Sequence, residues 1–146
     1  MKYMTEDYKL FLVDTNILVY AYDKSEATKR KKAEELLSKC FDGFITLAMS
    51  NQNLAEFVYV TTRKSKLSMN QAMINVRDIS NSTTFKKINY STRTVILAVE
   101  IADEFKMSFW DSLLVATMKE NSIFNIYTEN TSDFKMPWIN AVNPFT

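Results

Sequence analysis

The sequence predicts a three-layer α/β/α domain built on a mostly parallel sheet of about five strands. Short apolar runs alternate along the chain with longer stretches of helical spacing, and the turn chemistry of β-hairpins is scarce, with one glycine, Gly43, and two prolines in 146 residues. Strands separated by helices pair in parallel, and a parallel sheet needs helices on both faces. At 47% hydrophobic residues the chain can bury a sizeable core, and with no internal repeat or linker composition, residues 1–146 are read as one domain.

Phe11-Leu12-Val13 is the first strand, and Asp14-Thr15-Asn16 leads into a helix running to about Tyr22. A second helix carries Ala27, Ala33, Leu36, Leu37 and Cys40 at core spacing and ends near Phe41, with Gly43 as a left-handed stop. Phe44-Ile45-Thr46-Leu47 forms the second strand. Ser50 or Asn51 then caps a third helix with Leu54, Phe57, Val58 and Thr61 on its apolar side, and Glu56 off that side with Asn53, Val60 and Arg63. Ser68 to Gln71 fits a capping box, opening a helix with the stripe Met69, Ala72, Met73 and Val76. Thr83 to Lys86 is a weak third strand. Thr92 to Phe105 is an amphipathic helix with Val95, Ala98, Val99, Ala102 and Phe105 toward the core, and the helix from Trp110 is apolar nearly all round, as for one buried on the sheet or at a subunit contact. Phe124 to Tyr127 and Ile139 to Val142 complete the strands.

Composition removes several chemistries. The absence of histidine excludes imidazole acid–base catalysis, histidine-based nucleophilic triads and histidine-ligated zinc. A single glycine excludes glycine-rich phosphate loops, and a single cysteine, Cys40, in register with apolar helix positions, is read as packing. The balance of 18 basic and 17 acidic residues gives a net charge of +1, so any basic surface is local. No apolar run is long enough for a membrane span, and Met1 to Asp7 has no signal-like apolar core, which points to a cytoplasmic protein without membrane attachment.

What remains for polar chemistry is carboxylates, amides, hydroxyls and cations. In open parallel sheets ligands bind outside the carboxyl ends of the strands, where the winding reverses, and Asp14 and the loop from Glu129 to Asp133 follow strands on that edge. Taken singly, each acid has an ordinary structural reading. Asp14 suits a helix N-cap, Asp111 suits a capping box opened by Ser108, and Glu129, Asn130 and Asp133 suit a solvated loop. Glu56 fits such a reading least, because it stands in an otherwise apolar helix. Crowded into one crevice, these acids would repel one another unless divalent cations neutralised them, and an oxygen-only donor set suits Mg²⁺ or Mn²⁺.

The order Val13-Asp14-Thr15-Asn16, Leu54-Ala55-Glu56-Phe57, Phe109-Trp110-Asp111-Ser112 and Tyr127-Thr128-Glu129-Asn130-Thr131-Ser132-Asp133 closely resembles that of the PIN-domain ribonucleases, over nearly the whole chain from Phe11 onward. At this length the resemblance is to the VapC-type toxins of toxin–antitoxin pairs. It implies a PIN-like fold and a Mg²⁺- or Mn²⁺-dependent endoribonuclease with Asp14, Glu56 and Asp111 as catalytic, metal-holding acids, and with Asn16 orienting them. The fourth family position is an acid or amide after the fourth strand, here Asn130, with Asp133 as the second candidate; an amide there weakens a second cation site. The resemblance also implies a homodimer, and a small antitoxin that inserts near the acidic groove.

For the RNA substrate, the candidate phosphate contacts are Arg30, Lys31 and Lys32 with Lys29 on the second helix, and Arg63 and Lys64 with Lys66 after the third. Solvated helix faces are the competing reading. Tyr20, Tyr22 and Trp110 near the acidic motifs are read chiefly as packing, with base stacking as the alternative. Two rival functions stand beside the nuclease: a catalytically silent PIN-like module binding RNA or protein, and an aspartate-based phosphatase using Asp14 as nucleophile. The phosphatase is ranked last, since Asn16 stands where its second acid belongs.

Overall fold

The computed structural model describes residues 9–146, so the Met1 to Asp7 segment lies outside the described residues. Five strands form one sheet in the order β3-β2-β1-β4-β5: β1 (Phe11–Val13), β2 (Leu47–Ser50), β3 (Phe85–Ile88), β4 (Asn125–Tyr127) and β5 (Asn140–Val142). All four pairings are parallel, with Leu12 opposite both Ala48 and Ile126 at the centre. Among the described residues the six α-helices are α1 (Thr15–Tyr22), α2 (Ala27–Phe41), α3 (Asn51–Arg63), α4 (Met69–Asn81), α5 (Thr92–Phe105) and α6 (Phe109–Glu120). They cover the sheet from both sides, giving the expected three-layer α/β/α fold.

Alternation along the strands sorts the core into two clusters. Leu12, Ala48 and Ile126 face α5 and α6, together with Ala98, Ile101 and Leu113, while Val13, Leu47 and Met49 face the side of α1 to α4, with Ile17, Leu37, Phe57 and Ile79. Helix α6 is buried along seven consecutive residues, Ser112 to Met118, which explains its all-round apolar composition within the chain itself. Cys40 is buried and free. Among the described residues no helix is long and apolar enough to cross a membrane.

Several boundaries depart from the sequence reading. β2 begins at Leu47, not Phe44, because the Phe44 and Ile45 N–H groups donate back to the Lys39 carbonyl at the end of α2; Gly43 sits there at φ +82, and Phe44 is 79% exposed. β3 lies later than Thr83 to Lys86, at Phe85–Ile88. Met69, Met73 and Val99, read as core, are exposed; of the α4 stripe Ala72 is buried as expected, and Ile79 is buried with it. Ser50, not Asn51, caps α3, and the Ser68 capping box is present with both of its bonds.

Candidate metal centre

The winding of the sheet reverses at β1, which lies between β2 and β4, and Asp14 is the residue that follows it. Asp14 caps α1, accepting from the Thr15 N–H at 2.8 Å through Oδ1, as its cap reading expected. Its other oxygen points elsewhere: Oδ2 accepts from the Thr128 hydroxyl at 2.8 Å, and from Asn16 Nδ2 at a long 3.5 Å. Capping therefore accounts for half of the carboxylate.

Around this end of the sheet lies a cleft of about 430 Å³ whose walls include Asp14, Asn16, Glu56, Asp111, Asn130 and Lys64. Three segments far apart in sequence supply the acids, from the end of β1, the middle of α3 and the first turn of α6. Asn53 does not share the open side with Glu56 as read from sequence. It is fully buried, and its Nδ2 donates to the Thr15 hydroxyl at 2.9 Å while its Oδ1 accepts from the Ser50 hydroxyl at 2.7 Å. Glu56, one turn on, then faces the cleft together with Val60.

The electrostatics of the three acids are those of an under-compensated anionic site. Burial pushes the Asp14 carboxyl up to about 6, against the hydrogen bonds from Thr128 and Thr15 that pull it down, and the charges of Asp111 and Glu56 add to the rise. Burial also raises Glu56, helped by Asp111 and opposed by Gln52, whose Nε2 donates to Glu56 Oε1 at 3.2 Å. Burial raises Asp111 as well, with Asp133 adding to it and a hydrogen bond from Ser108 opposing it. Among the described residues, no three acidic side chains are already gathered into a finished ligand group. The donor set nevertheless fits a hard divalent cation: every donor is oxygen, and the acids carry mutual repulsion that a cation between them would remove.

The other candidates are distributed as follows. Asn130 is exposed and lines the cleft, its N–H donating to Thr128 Oγ1 at 3.0 Å. Asp133 lies beyond it, lining a separate depression with Asp111. Asn16 links the two sides of the cleft, accepting from the Glu129 N–H at 3.4 Å. Glu129 is no free loop acid: it pairs with Lys29, which holds its carboxyl below the usual range, and it accepts from the Tyr20 hydroxyl at 2.7 Å. Of the basic candidates, Lys64 lines the cleft. Arg30 pairs with Glu34 at 2.6 Å, Lys32 donates to the Phe145 carbonyl at 3.2 Å, Lys31 is exposed on α2, and Arg63 lies over the Tyr59 ring at 4.4 Å. Sequence reasoning passed over Thr128, a fully buried threonine directly after β4; its signal was its position on the same strand edge as Asp14.

The model of the PIN domain family matches residues 11–135. This chain belongs to the PIN-domain family. No curated protein matches it in sequence. Among solved structures, a toxin–antitoxin complex from Klebsiella pneumoniae is 24% identical with a TM-score of 0.65, covering 92% of this chain and 97% of that one. VapBC2 from Rickettsia felis, bound to a DNA fragment from their promoter, is 20% identical with a TM-score of 0.65, covering 92% and 98%. Mycobacterium tuberculosis VapC20, described as a sarcin–ricin loop cleaving toxin, is 19% identical with a TM-score of 0.66, covering 88% and 98%. At these identities the likeness establishes the PIN fold of this chain and its shared architecture with toxin–antitoxin proteins.

Proposed function

We propose that this PIN-domain protein is an endoribonuclease that hydrolyses RNA phosphodiester bonds with Mg²⁺ or Mn²⁺, and that it is the toxin of a toxin–antitoxin pair. The observation that carries the reading is the convergence of Asp14, Glu56, Asp111 and Asn130 on one cleft at the strand edge where the sheet reverses. Asp14, Glu56 and Asp111 would hold the cation, with Asn130 as a neutral oxygen donor. When bound, the ion supplies positive charge for a phosphodiester oxygen and acidifies the attacking water. Thr128 and the Thr15 N–H keep Asp14 ionised and fixed in direction, Asn16 ties the β4 loop to α1, and Lys64 brings positive charge to the wall along which a phosphate backbone passes.

The toxin assignment draws on the structural relatives, whose descriptions name toxin–antitoxin complexes. A small antitoxin is the partner proposed for this chain. A homodimer is proposed too, and the exposed Ile96 and Val99 on α5 give it apolar surface to cover.

A second reading, a catalytically silent module binding RNA or protein, draws on the amide at Asn130 and on the unassembled ligand group. Incubating the purified protein with a mixed RNA pool in Mg²⁺, Mn²⁺ or EDTA separates the two. Cleavage that EDTA abolishes is the expected result, and intact RNA under every condition would favour the silent module.

A further inference from the structure

The carboxylate cleft does not end at Glu56. That residue also lines a larger depression of about 920 Å³, whose walls include Tyr59, Tyr90 and Trp110 and the amides of Asn51, Gln52 and Asn89. Its aromatic walls face solvent: Trp110 is 62% exposed, Tyr59 58% and Tyr90 41%. Exposed rings of this size rarely stand together without a role, and the exposure of Trp110 favours base stacking, the alternative to packing, for this residue.

The site is built. Gln52 Nε2 donates to the Trp110 carbonyl at 3.0 Å as well as to Glu56, so one amide fixes the indole's backbone relative to the acid at the mouth of the carboxylate cleft. Two acceptors on that nitrogen set the orientation of the amide, and they leave Gln52 Oε1 buried without a partner among the described residues. Phe109 packs edge-on against Trp110 at 5.4 Å, and Arg63 covers one face of Tyr59 at 4.4 Å.

We infer that this aromatic depression is a nucleobase subsite, which holds an unpaired base of the RNA next to the phosphate presented to the acids. The inference rests on the nuclease reading and names where the substrate is gripped. Flat π-faces stack any base, and the exposed amides of Asn51 and Asn89 suit the donors and acceptors of a base edge, while Gln52 holds the wall in place. Among the described residues the lining contains no Leu, Ile or Val, the residues an aliphatic anchor from a protein partner would seek. Asp111 in turn lines both the carboxylate cleft and the separate depression that bears Lys106 and Lys135. A single strand thus meets aromatic rings, acids and lysines in turn, in an order that suits base, scissile phosphate and flanking phosphate.

The test compares a labelled RNA octamer of mixed sequence with a sugar–phosphate octamer lacking all bases, both bound in EDTA so that turnover plays no part. The wild-type protein is expected to bind the base-bearing strand about tenfold tighter. Trp110→Ala and Tyr90→Ala should remove most of that preference while leaving affinity for the baseless strand unchanged. In a Trp138→Phe background, Trp110 emission should respond to the base-bearing strand alone. An undiminished preference in both variants, equal weakening of both strands, or a silent Trp110 would overturn the subsite; so would variants that alter only oligomeric mass or protein binding. Base preference without any RNA cleavage would count against the nuclease and leave the subsite standing, whereas cleavage without base preference would do the reverse.

Discussion

Asn53 donates its side-chain amide to the Thr15 hydroxyl at 2.9 Å, tying the first turn of α3 to the first turn of α1. Both residues are buried, and Glu56 lies one turn beyond Asn53 as Asp14 lies one residue before Thr15. This bond therefore joins the two elements that carry acids sharing no local sequence. Asn53→Ala should destabilise the protein by about 1–3 kcal/mol, since Thr15 and Ser50 lose a buried partner. Denaturant unfolding and RNA cleavage measured together should both decline; a variant with lowered stability but full cleavage would mean that the bond does not position Glu56.

Asp14 makes the cation-free protein sensitive to pH in a definite direction. Its carboxyl is raised from 3.8 to about 6 on folding, so between those values the native state holds a proton that the unfolded chain has released. Below pH 3.8 the group is neutral in both states and contributes nothing. As pH rises through the folded value, stability is lost, by up to about 3 kcal/mol above pH 6. Unfolding of the EDTA-treated protein between pH 4 and 7 should show this loss, Asp14→Asn should flatten it, and added Mg²⁺ should reverse it. An equal slope in wild type and variant would contradict the assignment.

Thr128 acts against that rise. Its hydroxyl lowers the Asp14 carboxyl by donating to Oδ2, so Thr128→Val should raise the carboxyl further and move the acid limb of the pH–rate profile to higher pH. Thr128→Ser should restore it. Superimposable acid limbs for all three proteins would show that Asp14 does not govern the limb.

The basic candidates separate by position. Lys64 lines the cleft, so Lys64→Ala should weaken RNA binding and reduce the salt slope by about one. Arg30 is already committed to Glu34, and Arg30→Ala should leave both unchanged. Equal slopes for the two variants would remove Lys64 from the RNA path.

The fold was legible because its signals are local and redundant: apolar runs at Phe11 to Val13 and Phe124 to Tyr127, and a helix from Trp110 apolar nearly all round, leave little choice of layer. β2 was misplaced because Phe44 looks like a strand residue, and only the hydrogen bonds returning to Lys39 show that its backbone belongs to the end of α2. Met69 and Met73 have the spacing of a core stripe but lie outside, since periodicity names a face without saying what covers it. At the site, the three acids stood out by their order along the chain. Thr128 and Asn53 did not, because their importance lies in partners 114 and 38 residues away. The aromatic depression was hidden for the same reason: Tyr59, Tyr90 and Trp110 come from three separate segments.

The central claim, that Asp14 and Asp111 together carry metal-dependent RNA hydrolysis, is tested most directly by the cleavage rates of wild type, Asp14→Asn and Asp111→Asn on one RNA in Mg²⁺, with each Tm taken in EDTA. Each variant should lose at least about a hundredfold in rate, on the order of 3 kcal/mol of transition-state stabilisation, while its Tm stays at or above that of the wild type. Cleavage within a few-fold of wild type by either folded variant would contradict it.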